Sequence, residues 1–362
     1  MHKIMVIGAG KIGSLIACLF NQTNDYQVYL VDQQFTGADV ARLLAEQATL
    51  TTLTLDVRQQ TEVVKVIRQQ NIDALVSCLP YYVNNHVAEI AKIANVAYFD
   101  LTEDIQVTQR IMQLADQATQ AFVPQCGLAP GFVSIASQAL MQRFDQIDIV
   151  KLRVGALPQH THNTLHYALT WSTEGLINQY GNACYAIVEG ELTQVRPLES
   201  LEAIKLDGQT YEAFNTSGGL GSLATSYAGK VKYLNYKTLR YPGHCEKMRV
   251  LMNDLRLNED RKTLQQILEH AVPKTYQDVV IIYVSVTGQQ NGVLVEEDYV
   301  KKIYPQTIAN MHWSAIQVST AAGVCTIVDL VLAQPERYAG FVLQEDFALT
   351  DFLANRFASY YQ

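Results

Sequence analysis

The order of apolar and polar positions divides this chain into two regions of different rhythm. Up to about residue 127, short apolar runs alternate with segments whose apolar residues recur every three or four positions. The runs 3–7 (KIMVI), 26–32 (YQVYLVD), 50–57 (LTTLTLDV), 73–80 (DALVSCLP), 96–102 (VAYFDLT) and 121–127 (AFVPQCG) predict six strands. Helical spacing fills the gaps: Leu15, Ile16, Leu19 and Phe20; then Val63, Val64 and Ile67 within 61–70; then 85–95 and 103–120. Strands that alternate with helices predict a doubly wound parallel sheet, because a parallel pair needs a crossover connection.

After Phe132 the rhythm changes. Residues 147–158 and 163–172 predict adjacent antiparallel strands, and Ser172 is placed to cap a helix that starts at Thr173. Short strands flank the turn Asp207-Gly208, and a strand before Tyr241-Pro242-Gly243 gives way to a helix. Residues 278–304 predict a long hairpin turning near Gly288–Gly292, and 308–331 a long apolar helix broken near Gly323 that returns to the first domain. The fold class expected is α/β. A Rossmann domain (1–126 plus 318–362) carries an inserted α+β domain (127–317) built on a mostly antiparallel sheet.

A length of 362 residues suits two domains. The charge of −8 and a pI near 5.5 argue against a nucleic-acid surface, which needs a basic face. Six cysteines lie far apart with no C-x-x-C pair, as free thiols in a reducing compartment would. The uncharged stretches 117–142 and 303–328 exceed membrane-spanning length, but polar residues are scattered through both. The expectation is a cytoplasmic protein without a membrane partner.

The first apolar run leads directly into GAGKIG, so Gly8, Gly10 and Gly13 fit G-x-G-x-x-G at a strand-to-helix junction. Such a loop lets pyrophosphate approach the backbone and meet the N–H groups of the helix that begins at Lys11 and Ile12. Asp32 follows Gly13 by 19 residues and ends the second strand, where a carboxylate accepts from ribose hydroxyls and repels a 2′-phosphate. NAD is therefore expected in preference to NADP. Ligands of such sheets bind beyond the carboxyl ends of the strands. That rule places Cys78-Leu79-Pro80-Tyr81, Asp100 and Cys126 at the same edge.

These segments resemble the saccharopine dehydrogenase family, in its shorter bacterial form that includes lysine 6-dehydrogenase. The resemblance is carried by GAGKIG, CLPYY, YFDLTED, CGLAPGF, TWSTEGLINQY, FNTSGGLGSL, YKTLRYPGH and STAAG, from Gly8 to Gly323. It implies a substrate and dimerisation role for the inserted domain, a homodimer, and NAD(P)-linked oxidation of a C–N bond of an amino acid. It also implies that Tyr81, Asp100 and Cys126 surround the substrate. The saccharopine-forming type has an arginine where this chain has Glu174, an exchange that favours an amino group over a carboxylate. Lysine or a related diamino acid thus fits better than saccharopine. Reductive joining of an amine and a carbonyl, or NAD binding without turnover, are the rival readings.

Arg240 could clamp an α-carboxylate with two hydrogen bonds, and His244 could accept the proton released as hydride leaves. A cap or core histidine at a tight turn is the alternative for His244. Asp100 could orient the amine, or cap the next helix. Tyr81 could bond the substrate or merely pack, and Glu174 could serve only as an acid in a helix's first turn. Cys126 would line the cleft, with Pro130 and Gly131 making the turn into the inserted domain. His160, His162 and His166 have strand-like spacing for a metal, but hydride transfer needs none and no fourth ligand is evident. Lys230, Lys232 and Lys237 are expected on a solvated face.

Overall fold

The structure is a computed structural model that describes residues 1–36, 38–47 and 49–362. The chain forms two compact units. The first comprises residues 1–132, 307–311 and 317–362; the second comprises 133–306 and 312–316. The first crossing falls at Phe132–Val133, a few residues past the expected boundary at 126/127.

The first unit begins β1 (His2–Ile7), α1 (Lys11–Asn21), β2 (Tyr26–Asp32), α2 (Ala38–Glu46), β3 (Thr51–Thr54) and α3 (Gln60–Gln70). It continues β4 (Ala74–Ser77), α4 (Tyr81–Ala94), β5 (Ala97–Asp100), α5 (Ile105–Leu114) and β6 (Ala121–Val123). All six strands are parallel and lie in the order β6-β5-β4-β1-β2-β3. β4 is buried along its whole length and β3 is not, as expected of a central and an edge strand. Each of the last four strands is shorter than its apolar run, because the last residues of the run already belong to the loop.

The second unit follows α6 (Val133–Met141) with β7 (Gln146–Pro158), α7 (Thr173–Gly181), β8 (Cys184–Val188), β9 (Glu191–Val195), β10 (Glu202–Leu206) and β11 (Gln209–Asn215). Then come α8 (Leu223–Tyr227), β12 (Val231–Arg240), α9 (His244–Arg249), α10 (Arg261–Ala271), β13 (Asp278–Gln290) and β14 (Val293–Ile303). The sheet runs β10-β11-β12-β7-β13-β14, with the β8–β9 hairpin beside β12; only the β12–β7 pair is parallel. The long hairpin turns at Asn291-Gly292, both at positive φ (51° and 77°), as a two-residue loop requires.

Two expectations for this unit need correction. Residues 163–172 do not pair with β7. They run irregularly: the Leu169 N–H donates to the Pro273 carbonyl (2.8 Å) and the Tyr167 N–H to Asn163 Oδ1 (3.3 Å), so their main-chain groups are used outside a ladder. Lys237 is buried rather than solvated, and its ammonium bonds Glu202 (2.8 Å) and the Ser200 carbonyl (2.6 Å).

Residues 306–313 form the short pair β15 (Gln306–Ile308) and β16 (Met311–Trp313), so the long helix α11 (Ala315–Ala333) starts later than its apolar run. Asp278 caps it, accepting from the Ala315 N–H (2.6 Å) and the Ile316 N–H (3.1 Å). α11 continues unbroken through Gly323, where a Cβ would stand 3.1 Å from the Gly127 carbonyl oxygen. The glycine there serves close packing and not a kink. α11 is long and apolar enough to cross a membrane, but most of it is buried, as in a core helix. β17 (Gly340–Phe341) then adds to β6 in parallel, and α12 (Leu349–Ala354) precedes a final 3-10 turn over Arg356–Tyr361.

Candidate active site

The glycine loop sits at the carboxyl ends of the central strands. A Cβ on Gly13 would fall 1.9 Å from the Gly8 carbonyl oxygen, so α1 can approach the loop only without one. Gly10 is different: nothing lies within 4 Å of its would-be Cβ. It is the N-cap of α1 and makes no side-chain cap bond, so Lys11 and Ile12 open a helix next to open space at Gly10. That is a cradle for an anion. Asp32 holds the loop, accepting from the Ala9 N–H at 2.7 Å and from the Gln34 N–H at 3.2 Å. Beside it, Arg58 pairs with Asp56 at 2.7 Å, and Gln33 donates to the same carboxylate at 3.0 Å.

Cys78, Leu79 and Pro80 frame the loop from β4. The Cys78 N–H donates to the Ile7 carbonyl (2.8 Å), and Leu79 lies 3.3 Å from the Cβ that Gly8 lacks. Burial, then the Asp100 charge, pushes the Cys78 thiol up to about 12. Pro80 caps α4 and Tyr81 opens it, 37% exposed, its ring edge-on to Tyr82.

Asp100 ends β5, wholly buried. It accepts from the Tyr98 hydroxyl (2.7 Å), the Thr102 N–H (2.9 Å) and the Gln125 N–H (3.0 Å). The Cys126 N–H donates to the Asp100 carbonyl at 2.8 Å. One residue thus pins the whole exit from β6. Burial raises its pKa to about 6 against the lowering effect of those bonds. The Cys126 thiol donates to the Val123 carbonyl (3.0 Å), and burial drives its pKa well up; it is a packed thiol, not a nucleophile. Gly131, at φ 128°, makes the bend expected of it.

In the second unit, Arg240 ends β12 and is 2% exposed. Its Nε donates to the Tyr180 hydroxyl (2.8 Å), and its Nη1 to the Leu239 carbonyl (2.8 Å). The rings of Tyr167 and Tyr180 lie 5.2 and 5.8 Å from its Cζ. No carboxylate among the described residues pairs with it. Burial works against this charge, yet the Tyr180 and Tyr167 oxygens leave the guanidinium pKa above its ordinary value.

His244 continues the same chain of bonds. Its Nε2 is 3.0 Å from the Tyr180 hydroxyl and its Nδ1 is 2.9 Å from the Leu165 carbonyl. The carbonyl only accepts, so Nδ1 carries the proton and Nε2 accepts from Tyr180. Burial, then the Arg240 charge, lowers the His244 pKa to about 3. Both ring nitrogens are occupied and the ring is fully buried, so the geometry gives His244 an orienting place and leaves it no lone pair for a substrate proton. Its burial was not readable from its turn position.

Glu212 was missed in the sequence. It lies opposite Arg240 in the ladder and accepts from the Gly243 N–H (2.7 Å) and the Cys245 N–H (2.6 Å), so it fixes the turn that begins α9. Tyr180 and Tyr167 were missed too; only packing reveals them. Glu174 is exposed in the first turn of α7, behind the Ser172 cap (3.2 Å to the Gly175 N–H). His160, His162 and His166 do not share a strand, and the described residues hold no group of three metal-ligating side chains.

Family models match nearly the whole chain: the saccharopine dehydrogenase NADP binding domain over residues 4–124 and the saccharopine dehydrogenase C-terminal domain over residues 127–359. The chain belongs to the saccharopine dehydrogenase family. It is an oxidoreductase of that family with a dinucleotide-binding domain. Alpha-aminoadipic semialdehyde synthase of Rattus norvegicus is 19% identical over 317 residues, 82% of this chain and 32% of the relative. The chain thus spans about a third of that relative's length. The apo saccharopine dehydrogenase (L-Glu forming) of Saccharomyces cerevisiae superposes with a TM-score of 0.78 at 14% identity, covering 97% of this chain and 95% of that one. Homospermidine synthase of Legionella pneumophila, in complex with NAD, gives 0.70 at 13% identity over 99% and 89%. At such identities the likeness is one of fold.

Proposed function

We propose that the protein is an NAD-dependent oxidoreductase acting on the C–N bond of an amino acid, with lysine or a related diamino acid as substrate. The observation that carries the substrate class is Arg240, a guanidinium buried to 2% exposure with no acidic partner among the described residues. Burying an unpaired charge is costly, and a ligand carboxylate would supply the missing anion. Exposed Glu174 favours an amino group over a second carboxylate, which supports a diamino acid over saccharopine.

The residues of the nucleotide unit fit a dinucleotide: Gly10 offers a Cβ-free opening, α1 an uncapped end, and Asp32 a carboxylate suited to ribose hydroxyls. When bound, NAD would take up the hydride from the carbon bearing the amine. The nitrogen loses a proton in the same oxidation, and the resulting imine is hydrolysed or cyclises. Asp100 is fully buried and accepts three hydrogen bonds, and both ring nitrogens of His244 are occupied. We therefore assign to His244 the orientation of Tyr180 and Arg240, and to Asp100 the ordering of the exit from β6.

The test is a screen of the purified protein with NAD or NADP against lysine, saccharopine and related diamines, and of NADH with amine–carbonyl pairs, read by nicotinamide absorbance. Oxidation of a diamino acid with NAD supports the reading. Activity only in amine–carbonyl joining would move the protein to the reductive class, and preference for NADP would overturn the argument from Asp32.

A further inference from the structure

Arg240 is not alone in having hydrogen-bonding capacity left over. Tyr167 is 1% exposed, and its hydroxyl oxygen is buried with no hydrogen-bond partner. A buried hydroxyl normally finds one. The rest of Tyr167 is firmly held. Its N–H and carbonyl bond Asn163 (3.3 and 2.7 Å), and its ring packs 5.1 Å from the His244 ring and 5.2 Å from Arg240 Cζ. A fixed aromatic with an uncommitted hydroxyl thus lies against a fixed cation with uncommitted donors. Two bonds, to Tyr180 and Leu239, use only part of what a guanidinium can donate.

We propose that Arg240 and Tyr167 form one carboxylate subsite, in which Tyr167 is a specificity-determining donor. Resting on the amino-acid reading above, this adds a second donor that the sequence did not single out. The guanidinium supplies charge and a planar pair of N–H donors; the phenol supplies a further O–H to the same anion. The chain Arg240 to Tyr180 to His244 to Leu165 sets the tilt of the guanidinium, so the fork is oriented before any ligand arrives. An amine without a carboxylate would leave both groups unpaired and bind poorly, which is how buried polar groups reject an incomplete ligand.

The test uses glutarate as a carboxylate probe, in calorimetric titration of the full-length protein, with Tyr167→Phe as the variant that removes only the hydroxyl. The wild type should bind glutarate, and Tyr167→Phe should bind it about tenfold more weakly with an unchanged melting temperature. The same variant should raise KM for lysine about tenfold with little change in kcat, and narrow the preference for lysine over cadaverine. Equal glutarate affinity in both proteins, or none in the wild type, overturns the subsite. Phosphate binding as tightly as glutarate overturns its carboxylate character. If glutarate binding depends on Tyr167 while no C–N substrate is turned over, the subsite stands and the dehydrogenase reading falls.

Discussion

Arg153 and Arg240 are two arginines of one sheet, 1% and 2% exposed, each donating Nη1 to the carbonyl of the residue before it. They differ in what meets Nε. Arg153 pairs with Glu202, which also accepts from Lys237, so charge is met by charge. Arg240 meets the phenol of Tyr180, and no acid among the described residues pairs with it; Glu212, opposite in the ladder, is taken up by the Gly243 and Cys245 N–H groups. The first arrangement completes itself within the chain. The second is incomplete without an anion, which is the mark of a binding group rather than of a stabilising one.

The strongest challenge to this contrast is Arg240→Ala. It should lower kcat/KM for a carboxylate-bearing substrate roughly hundredfold while NADH affinity, measured by fluorescence titration, stays the same. Glu202→Ala should do the reverse. It strands Arg153 and Lys237 and should cost about 3 kcal/mol in denaturant unfolding, with little effect on KM in the protein that remains folded. Were the two outcomes exchanged, the roles assigned to the arginines would be exchanged too.

A smaller effect separates the surroundings of Arg240 by pH. His244 is held neutral with its pKa lowered from 6.5 to about 3. The unfolded chain therefore binds a proton there first, so stability is lost as pH falls from about 6.5 towards 3. Asp100 has the opposite sign: its raised pKa favours the protonated folded form, so stability falls as pH rises from about 4 to about 6. Thermal melts across this range should show His244→Gln losing less stability on acidification than wild type. Asp100→Asn should gain relative to wild type above about pH 6.

In the nucleotide unit, Asp32→Asn should weaken NADH binding about tenfold and narrow the preference over NADPH, leaving glutarate binding unchanged. The smallest expected effect is that of Glu174→Ala, a fewfold rise in KM for lysine, because an exposed charge is screened by water.

How much could be read from the chain itself differs between the two units for a physical reason. In the first, each strand and its helix are neighbours in sequence, so periodicity finds them. The G-x-G-x-x-G run and Asp32 act through backbone geometry that the motif itself encodes. In the second, β7 was recognisable as a strand, but its partners β12 and β13 come from far along the chain, and no local signal names them. The alternating apolar residues Leu165, Tyr167, Leu169 and Trp171 imitate a strand, though they join the core from an irregular segment. Arg240 stood out as a charged residue beside a turn. That His244 is sealed and Tyr167 unpartnered, and that Glu212 clamps the turn from the neighbouring strand, are facts of packing.

The most direct measurement is the rate of NAD reduction by lysine and by cadaverine, in wild type and in Arg240→Lys, which keeps the charge and loses the fork. The account predicts strong preference for lysine in the wild type and near loss of that preference in the variant. Equal rates with both amines in the wild type, or a preference untouched by Arg240→Lys, would contradict it.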